Sequence, residues 1–393
     1  MTKVISTEKI PIKLWLDNIE DKALEQAKNL ANLPFAFKHI AIMPDSHVGY
    51  GMPIGGVLAT KGVIIPNAVG VDIGCGMCAV KTSLTEIDTE TLKKIMGEIR
   101  KAIPVGFAHH KEEQGENLLP YKDPCVNYKI VQQEFYNSLN QIGTLGGGNH
   151  FIEIQKGSDG HIWIMIHSGS RNFGLKIAEY YNKLAITLNE KWHSSIPKQW
   201  ELAFLPIESD EGQVYIREMQ YAVEFALANR KLMMDEIVGI FMIHNPNSNI
   251  TNPIRVETIN IAHNYASLEN HFGENVWVHR KGATLARKGT IGIIPGSQGT
   301  SSYIVKGLGN KESFESCSHG AGRKMGRNEA TKTLDLKNEI KQLNDKGIIH
   351  SIRGVKDLDE APGSYKNINE VMANQTDLVE ILVELSPLAV IKG

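Results

Sequence analysis

The stretch 68-AVGVDIGCGMCAV-80 places Cys75 and Cys78 in C-x-x-C spacing, with Asp72 three residues before the first cysteine. This spacing is compatible with half of a structural zinc site, with a redox dithiol, or with a single cysteine that binds a metal. A structural zinc site needs two further ligands at close spacing, and the chain has no second C-x-x-C. A thioredoxin-type dithiol opens a helix, whereas residues 77–84 have the pattern of a strand.

A strand that begins near Met77 would direct Cys78 into a sheet face as a small hydrophobic residue. Asp72 and Cys75 would then remain in the loop 70–76, whose glycines permit a tight backbone that aims both side chains at one point. A carboxylate, one thiolate and several imidazoles form a ligand set for a divalent metal, and one thiolate can bridge two ions. The alternative is a tight turn with a buried cysteine.

The histidines of this chain lie in unusual surroundings. Taken singly, each is expected to make ordinary surface or core hydrogen bonds, but a metal centre needs ligands that converge from separate segments. Of the 14 histidines, five border loops rich in glycine, serine or asparagine, namely His47, His150, His167, His263 and His319.

The segment 316-SCSHGAGRKMGR-327 has a different character. Gly-Ala-Gly follows His319, and its bare backbone lets a phosphate approach amide donors closely. Arg323 and Arg327 add planar, charged guanidinium groups, each of which can donate two hydrogen bonds to a phosphate. A neutral imidazole can attack phosphorus, so His319 could carry a covalent phosphoryl or nucleotidyl group. The alternative is a phosphate-binding loop with a hydrogen-bonding histidine.

Common catalytic templates are missing from the sequence. It contains no G-x-x-x-x-G-K-[ST], no G-x-S-x-G and no H-E-x-x-H. The net charge of −2 and the pI of about 6.7 argue against a bulk electrostatic nucleic-acid binder. The chain lacks a signal-peptide pattern and an apolar run long enough to span a membrane, and four cysteines in 393 residues indicate a reducing cytoplasm.

The elements that must position these residues are short strands that lead into glycine-rich loops. Three such segments are 39–51, 162–174 and 291–305. Apolar spacing predicts a helix over residues 88–101, with Asp88 as N-cap, and another after Arg171. Residues 213–236 and 366–385 are also predicted to be helical. The prediction is an α+β fold, with a packed β-sheet core flanked by helices, in a single domain over residues 1–393.

Several motifs together resemble the RNA-splicing ligase RtcB family, nearly from end to end. The family pattern is carried by 66-PNAVGVDIGCGM-77, 143-GTLGGGNHFIEI-154, 164-IMIHSGSR-171, 262-AHNY-265, 279-HRKGA-283, 293-IIPGSQGTSSYIVKGLGN-310, 315-ESCSHGAGR-323 and the terminal Lys392-Gly393. The loop 44-PDSHVGYGMPIGG-56 departs in detail, and residues 101–141 match only loosely.

The resemblance implies a GTP- and manganese-dependent RNA ligase and assigns roles to residues. Asp72, Cys75 and His150 would hold one Mn²⁺, and Cys75 would bridge to a second Mn²⁺ held by His167 and His263. His319 would become guanylylated. The GMP-binding or GTP-binding residues would be Asn149, His150, Phe151, Ile152, Glu153, His263, Asn264, Pro295, Gly296, Ser297, Gln298, Ser302, His319, Gly320, Ala321, Gly322, Tyr365 and Lys392.

The implied reaction joins an RNA 2′,3′-cyclic-phosphate or 3′-phosphate end to a 5′-hydroxyl end, as in tRNA splicing or RNA repair. Metal-assisted opening of the cyclic phosphate would precede attack of His319 on GTP. GMP would then pass to the RNA 3′-phosphate, which the 5′-hydroxyl attacks. Manganese is inferred from the resemblance, because one thiolate and three imidazoles suit zinc at least as well. Alternatives are a metal-dependent phosphodiesterase or cyclic phosphatase, and a non-catalytic RNA-binding or nucleotide-binding relative.

The partner is therefore expected to be RNA rather than a membrane, with a monomeric chain in the cytoplasm that could use a helper protein. Glu153 and Lys392 are expected to face the guanine base, which leaves the arginines for phosphates. Charged side chains that could contact RNA are Arg280, Lys281, Arg287, Lys288, Arg323 and Arg327, although such a run is often only a solvated face.

Overall fold

Residues 1–122, 127–245 and 258–393 are described by the computed structural model of this protein. Cys125 lies outside these residues. The strands are β1 (Lys3–Ile5), β2 (Ile12–Leu14), β3 (Ala36–His47), β4 (Ile54–Thr60), β5 (Val63–Ile64), β6 (Gly76–Lys81), β7 (Phe151–Gly157), β8 (Ile162–Ser168), β9 (Leu205–Pro206), β10 (Thr258–Ala262), β11 (Asn264–His271), β12 (Glu274–Lys281), β13 (Ala283–Leu285), β14 (Ile291–Ile294), β15 (Ser302–Gly307), β16 (Ser316–Ser318) and β17 (Val379–Lys392).

Several helices begin at a residue whose side chain caps the first turn. The Asp88 carboxylate accepts hydrogen bonds from the first-turn N–H groups of Glu90 and Thr91, which confirms the predicted N-cap. The helices predicted after Arg171 and over 213–236 are also present. The α-helices are α1 (Asp21–Ala31), α2 (Pro66–Val69), α3 (Thr89–Ala102), α4 (Ile130–Gln141), α5 (Asn172–Lys191), α6 (Asp210–His244), α7 (Arg327–Thr333), α8 (Leu336–Asp345) and α9 (Ile368–Ala373).

Two large sheets organise the fold. One has the strand order β1-β2-β3-β4-β12-β11, and the other has the order β10-β6-β8-β7-β17-β15-β14. Neighbouring strands are antiparallel except β2 and β3. His263 lies between β10 and β11, where the chain passes from the second sheet to the first. The junction of the sheets is therefore the place where residues from both can meet.

Helices α3 and α6 pack on one face of the seven-stranded sheet. Their apolar side chains join those of β6, β7, β8 and β17 in one core cluster that includes Cys78 and Met233. The α+β class with a sheet core flanked by helices is thereby confirmed. No helix among the described residues is both long enough and apolar enough to cross a bilayer.

The helix predicted over residues 366–385 is wrong for most of its length. Helix α9 ends at Ala373, and β17 begins at Val379. The apolar spacing of 379-VEILVEL-385 suits either a helix or a strand, and β-branched residues favour the strand. Strand β17 pairs with β15 on one side and β7 on the other, and these distant partners decide the outcome.

Candidate metal centre and adjoining cleft

Three adjacent strands bring the predicted metal ligands together. Cys75 immediately precedes β6, His167 lies near the end of β8, and His150 immediately precedes β7. The register pairs Gly76 with Ser168, and Phe151 with His167. Strand β10 pairs with the other edge of β6 and delivers His263, whose N–H donates to the Cys75 carbonyl at 2.8 Å.

The ligand atoms form two overlapping groups. Cys75, His167 and His263 make one, and Asp72, Cys75 and His150 make the other, with all ligand atoms of each group within 4.8 Å of one another. The Cys75 Sγ lies 3.5 Å from His150 Nε2 and 3.3 Å from His167 Nε2. These five residues are here called the metal-ligand cluster, and its two groups share a single sulfur; the bridging role of Cys75 stays a prediction.

The hydrogen bonds of the imidazoles fix which nitrogen can bind a cation. His150 Nδ1 donates to the Leu145 carbonyl and His167 Nδ1 to the Asn149 carbonyl, each at 3.0 Å. Both Nε2 lone pairs therefore point toward Cys75, and His167 Nε2 lies 3.4 Å from His263 Nε2. Lone pairs crowded around one sulfur repel each other unless a cation lies between them, so the donor set fits divalent metal ions.

Burial reinforces this arrangement. It lowers the pKa of His167 and His263 well below the ordinary value, so both imidazoles are neutral and able to bind metal. It also raises the pKa of the Cys75 thiol, with the nearby Asp72 carboxylate acting in the same direction. A thiolate at this position therefore requires a compensating positive charge, which a bound cation supplies.

His319 borders the cluster and is held by Asp45. Its ring centroid lies 4.8 Å from that of His263. His319 Nδ1 donates to Asp45 Oδ2 at 2.6 Å, and the same oxygen accepts the N–H groups of His319 and Gly320 at 3.0 and 3.2 Å. In a neutral imidazole, donation from Nδ1 leaves the Nε2 lone pair free. Asp45 is fully buried, so the orientation of the imidazole is fixed.

Sequence reasoning missed the role of Asp45. The loop that contains it, 44-PDSHVGYGMPIGG-56, departs in detail from the family pattern, and its sequence alone assigns no role to the aspartate. Asp45 and His319 are 274 residues apart, so no local pattern could pair them. His47, which lines the cleft, donates from Nδ1 to the Asp45 carbonyl at 3.1 Å.

A cleft opens beside the cluster and collects most of the predicted nucleotide-binding residues. Its walls come from β7, the loop after β14, the loop after β16 and the end of β17. The predicted residues that line it are Asn149, Phe151, Glu153, Pro295, Gly296, Ser297, Gln298, His319, Gly320, Ala321, Gly322, Tyr365 and Lys392.

The other predicted nucleotide-binding residues lie behind this lining. The Ile152 side chain belongs to the apolar core on the opposite face of β7, as strand alternation requires. Asn264 donates to the Asp72 carbonyl at 3.0 Å and accepts the Gly282 N–H at 2.7 Å. Ser302 Oγ accepts the Gly296 N–H at 3.1 Å. These side chains shape the neighbouring loops, while His150 and His263 lie in the metal-ligand cluster.

Two carboxylates of the cleft have contrasting surroundings. Burial raises the pKa of Glu153 to about 8, whereas burial of Glu360 is outweighed, and its pKa is lowered, by Lys392 and Arg327. Glu360 accepts from Arg323 at 3.1 Å and from Arg327 at 2.8 Å. Both arginines line the cleft and are already paired with Glu360, a carboxylate that the sequence analysis did not identify, and their binding of phosphates stays a prediction.

Burial makes two of the predicted RNA contacts, Arg280 and Lys281, wrong. Arg280 is fully buried and binds Glu269, Ser316 and the Phe314 carbonyl. Lys281 is buried too, and its Nζ donates to the carbonyls of Tyr50 and Asn67. Both residues therefore hold the fold together. Alternation along β12 could not reveal this, because residues 278–281, the last four of the strand, are all buried whichever face they lie on. Arg287 and Lys288 are exposed.

Comparison with known proteins gives a consistent result along the chain. The sequence profile of the family described as tRNA-splicing ligase RtcB matches residues 26–123 and 121–393. The RNA-splicing ligase RtcB of Escherichia coli K12 is 40% identical over 100% of this chain and 99% of its own length. The tRNA-splicing ligases RtcB of Thermococcus kodakarensis and Pyrobaculum aerophilum are 32% and 30% identical, over 95% and 98% of this chain and 92% and 95% of their own lengths.

Proposed function

Because the chain belongs to the RtcB family, we propose that it is an RNA ligase that uses GTP to join RNA 3′-phosphate or 2′,3′-cyclic-phosphate ends to 5′-hydroxyl ends. The observation that carries the proposal is the position of His319. Its imidazole is held by a buried carboxylate at the border between the metal-ligand cluster and the adjoining cleft.

The cluster would hold two Mn²⁺ ions. Asp72, Cys75 and His150 would bind one, and Cys75, His167 and His263 the other, following the two groups of ligand atoms. Bound divalent cations supply charge neutralisation for phosphoryl oxygens. The remaining chemistry belongs to the side chains and backbone of the chain itself.

His319 would act as the nucleophile. Its Nε2 lone pair attacks the α-phosphorus of GTP, so that a P–N bond forms, the bond to the bridging oxygen breaks and pyrophosphate leaves. Asp45 accepts a hydrogen bond from Nδ1–H throughout, which fixes the tautomer whose Nε2 lone pair faces the phosphorus and stabilises the positive charge that develops on the ring. The 3′-phosphate of the RNA then takes GMP from Nε2, and the 5′-hydroxyl displaces GMP.

The cleft would bind the GMP unit. Glu153 offers a carboxylate to the donor edge of guanine, and Lys392 lies close to the Phe151 ring, with its Nζ 5.5 Å from the ring centroid. Gly320 and Gly322 flank the approach to His319, and a side chain at Gly322 would collide with the Asp45 carbonyl. The bare backbone of this loop thus leaves room for the phosphate.

The proposal extends to domain organisation, oligomeric state and cellular location. We infer one domain over residues 1–393 and a monomeric enzyme in the reducing cytoplasm. The reducing environment is supported by the three cysteines among the described residues, Cys75, Cys78 and Cys317, all of which are buried and free. A ligand thiol must stay reduced to bind metal.

Radiolabelled GTP tests the proposal. With Mn²⁺ and [α-³²P]GTP, the denatured protein should retain label, whereas [γ-³²P]GTP should leave none. His319→Ala should abolish the label. His193→Ala is the matched control, because it removes an exposed imidazole that is not part of the cleft lining and should keep the label.

The outcomes separate the candidate functions. A labelled protein that joins 3′-phosphate RNA to 5′-hydroxyl RNA is a ligase. Cleavage of cyclic-phosphate ends without any covalent label would instead identify a metal-dependent phosphodiesterase. RNA or nucleotide binding with neither activity would identify a non-catalytic relative.

A further inference from the structure

We propose that Asn229 and Arg230, neighbours in the middle of α6, are positioning residues for the metal centre. Neither side chain belongs to the metal-ligand cluster. Together they hold the loops that deliver Cys75, His150 and His167. The inference rests on the metal centre of the proposed function, but it concerns how that centre is built and not which reaction it serves.

Arg230 joins two of the ligand segments. Its Nη1 donates to the Gly74 carbonyl at 2.9 Å and to the Ser168 carbonyl at 2.8 Å. Gly74 immediately precedes Cys75, and Ser168 immediately follows His167. One nitrogen thereby fixes the separation between the segments that carry the sulfur and the imidazole, which lie 3.3 Å apart at Sγ and Nε2.

Asn229 reaches the loop of His150. Its Oδ1 accepts the N–H groups of Gly143 and Thr144 at 2.7 and 3.2 Å, and its Nδ2 donates to Ser168 Oγ at 3.2 Å. The Ser168 hydroxyl in turn donates to the Leu145 carbonyl at 2.7 Å, the same oxygen that accepts His150 Nδ1. A short chain of hydrogen bonds therefore runs from α6 to the imidazole.

The segment of His263 is tied to the same helix. Arg230 Nε donates to Asn260 Oδ1 at 2.8 Å, and Asn260 Nδ2 donates to the Leu227 carbonyl at 2.9 Å. Asn260 lies on β10, three residues before His263. All four segments that carry cysteine or histidine ligands thus connect to a single turn of α6.

The burial of the Arg230 guanidinium supports the same role. The guanidinium is fully buried, its Nη2 has no partner, and no carboxylate among residues 1–122, 127–245 and 258–393 forms an ion pair with it. A buried guanidinium without a carboxylate partner is costly unless hydrogen-bond acceptors face it. The carbonyl oxygens of Gly74 and Ser168 and the amide oxygen of Asn260 are those acceptors, so the burial of Arg230 is offset only while the segments that carry the ligands keep their positions.

Metal binding without nucleotide or RNA tests the inference. The variants are Arg230→Met, which removes the charge and the hydrogen bonds at similar volume, Arg230→Lys, which keeps the charge, and Arg217→Met, an exposed control on the same helix. Calorimetry would measure Mn²⁺ affinity. Absorption would measure the thiolate-to-Co²⁺ charge-transfer band, and melting in chelator would measure the stability of the metal-free fold.

Arg230→Met should weaken Mn²⁺ binding by about 10–100-fold and shift or diminish the Co²⁺ band, since residues behind metal ligands have effects of this size. Arg230→Lys should fall between Arg230→Met and the unmodified chain, and Arg217→Met should match the unmodified chain. A merely structural role would lower the melting temperature of the metal-free variant and leave both metal readouts unchanged, which would overturn the inference.

Two further outcomes keep the test decisive. If Arg230→Met does not fold, Arg230→Lys decides, and full Mn²⁺ affinity in that variant would reject the inference. An unmodified chain that binds no Mn²⁺ or Co²⁺ would reject it as well. A chain that binds metal in the manner described but ligates no RNA would overturn only the proposed function and would support the positioning role.

Discussion

The metal-ligand cluster and the adjoining cleft share His319 at their border, but they balance charge differently. In the cleft, Glu360 pairs with Arg323 and Arg327, and Lys392 Nζ lies 3.8 Å from it. In the cluster, the neutral imidazoles of His167 and His263 and a buried thiol surround one point, and the carboxylate of Asp72 lies 3.2 Å from His150 Nε2. The charges of the cleft are therefore paired with one another, whereas the cluster crowds lone pairs that a bound cation would separate.

Replacing the shared sulfur should have the largest effect. Cys75→Ala removes a ligand from both groups of the cluster, so Mn²⁺ affinity and ligation should each fall by at least about 100-fold, since even residues behind a ligand cost that much. Calorimetry and an RNA-joining assay would measure the two effects.

Cys78→Ala is the matched control for Cys75→Ala. Cys78 lies in the core cluster under α6, so its loss should cost about 1 kcal/mol of unfolding free energy and leave ligation intact. Normal ligation by Cys75→Ala, or loss of ligation by Cys78→Ala at temperatures where it is folded, would reverse the assignment of the two cysteines.

The sequence was sufficient to distinguish these cysteines because the relevant signals are local. Glycines mark the loop of Cys75, and the strand pattern from Met77 onward marks Cys78 as a core residue. The longer helices were predictable for the same reason, since caps and apolar spacing act within a few turns.

Long-range pairings could not be predicted in this way. Glu360 meets Arg323 across 37 residues, and Asp45 meets His319 across 274. Strand β17 was missed because its partners β7 and β15 select a strand where the local spacing also permits a helix. A single sequence can supply the residue types of a site, but the three-dimensional contacts decide which of its charges are already paired.

Asp45→Asn should have the next largest effect and would probe the border between the two regions. An amide at this position cannot accept hydrogen bonds from His319 Nδ1 with the strength of a carboxylate, and it does not stabilise a cationic ring. Guanylylation should slow by about 100-fold or more, with Mn²⁺ affinity unchanged. Rapid-quench labelling with [α-³²P]GTP would measure the rate, and an undiminished rate would refute the role of Asp45.

Glu360→Gln should separate stability from ligand affinity in the cleft. Removing one partner of a buried ion pair costs about 3 kcal/mol of unfolding free energy, so the variant should melt earlier. The released arginines should bind the GTP phosphates several-fold more tightly at low salt, and the gain should shrink as salt rises. Asp359→Asn, at a neighbouring carboxylate 3.9 Å from Arg327, is the control and should change both quantities less.

Glu153 differs from Glu360 in the direction of its pKa shift, and its replacement should have the smallest effect of the four. Its carboxyl is buried, and a pKa raised to about 8 means that it is protonated in the folded chain at neutral pH, whereas in the unfolded chain it ionises near 4.5. The folded state thus binds the extra proton between these values, and stability should fall as pH rises from 5 to 8. The Glu153→Gln variant should therefore lose less folding stability between pH 5 and 8 than the unmodified chain, as measured by denaturant unfolding.

The same protonation controls binding of the base. A carboxylate accepts from the N–H groups of guanine but a carboxylic acid does so poorly, so binding below pH 8 must release a proton from Glu153. Affinity for guanosine, which has no phosphates to titrate, should rise with pH between 6 and 8 by at most about tenfold per unit. Calorimetry in buffers of different ionisation enthalpy would count the released proton. A pH-independent affinity in the unmodified chain, matching Glu153→Gln, would show that this carboxyl does not face the base and that the cleft balances all of its charges internally.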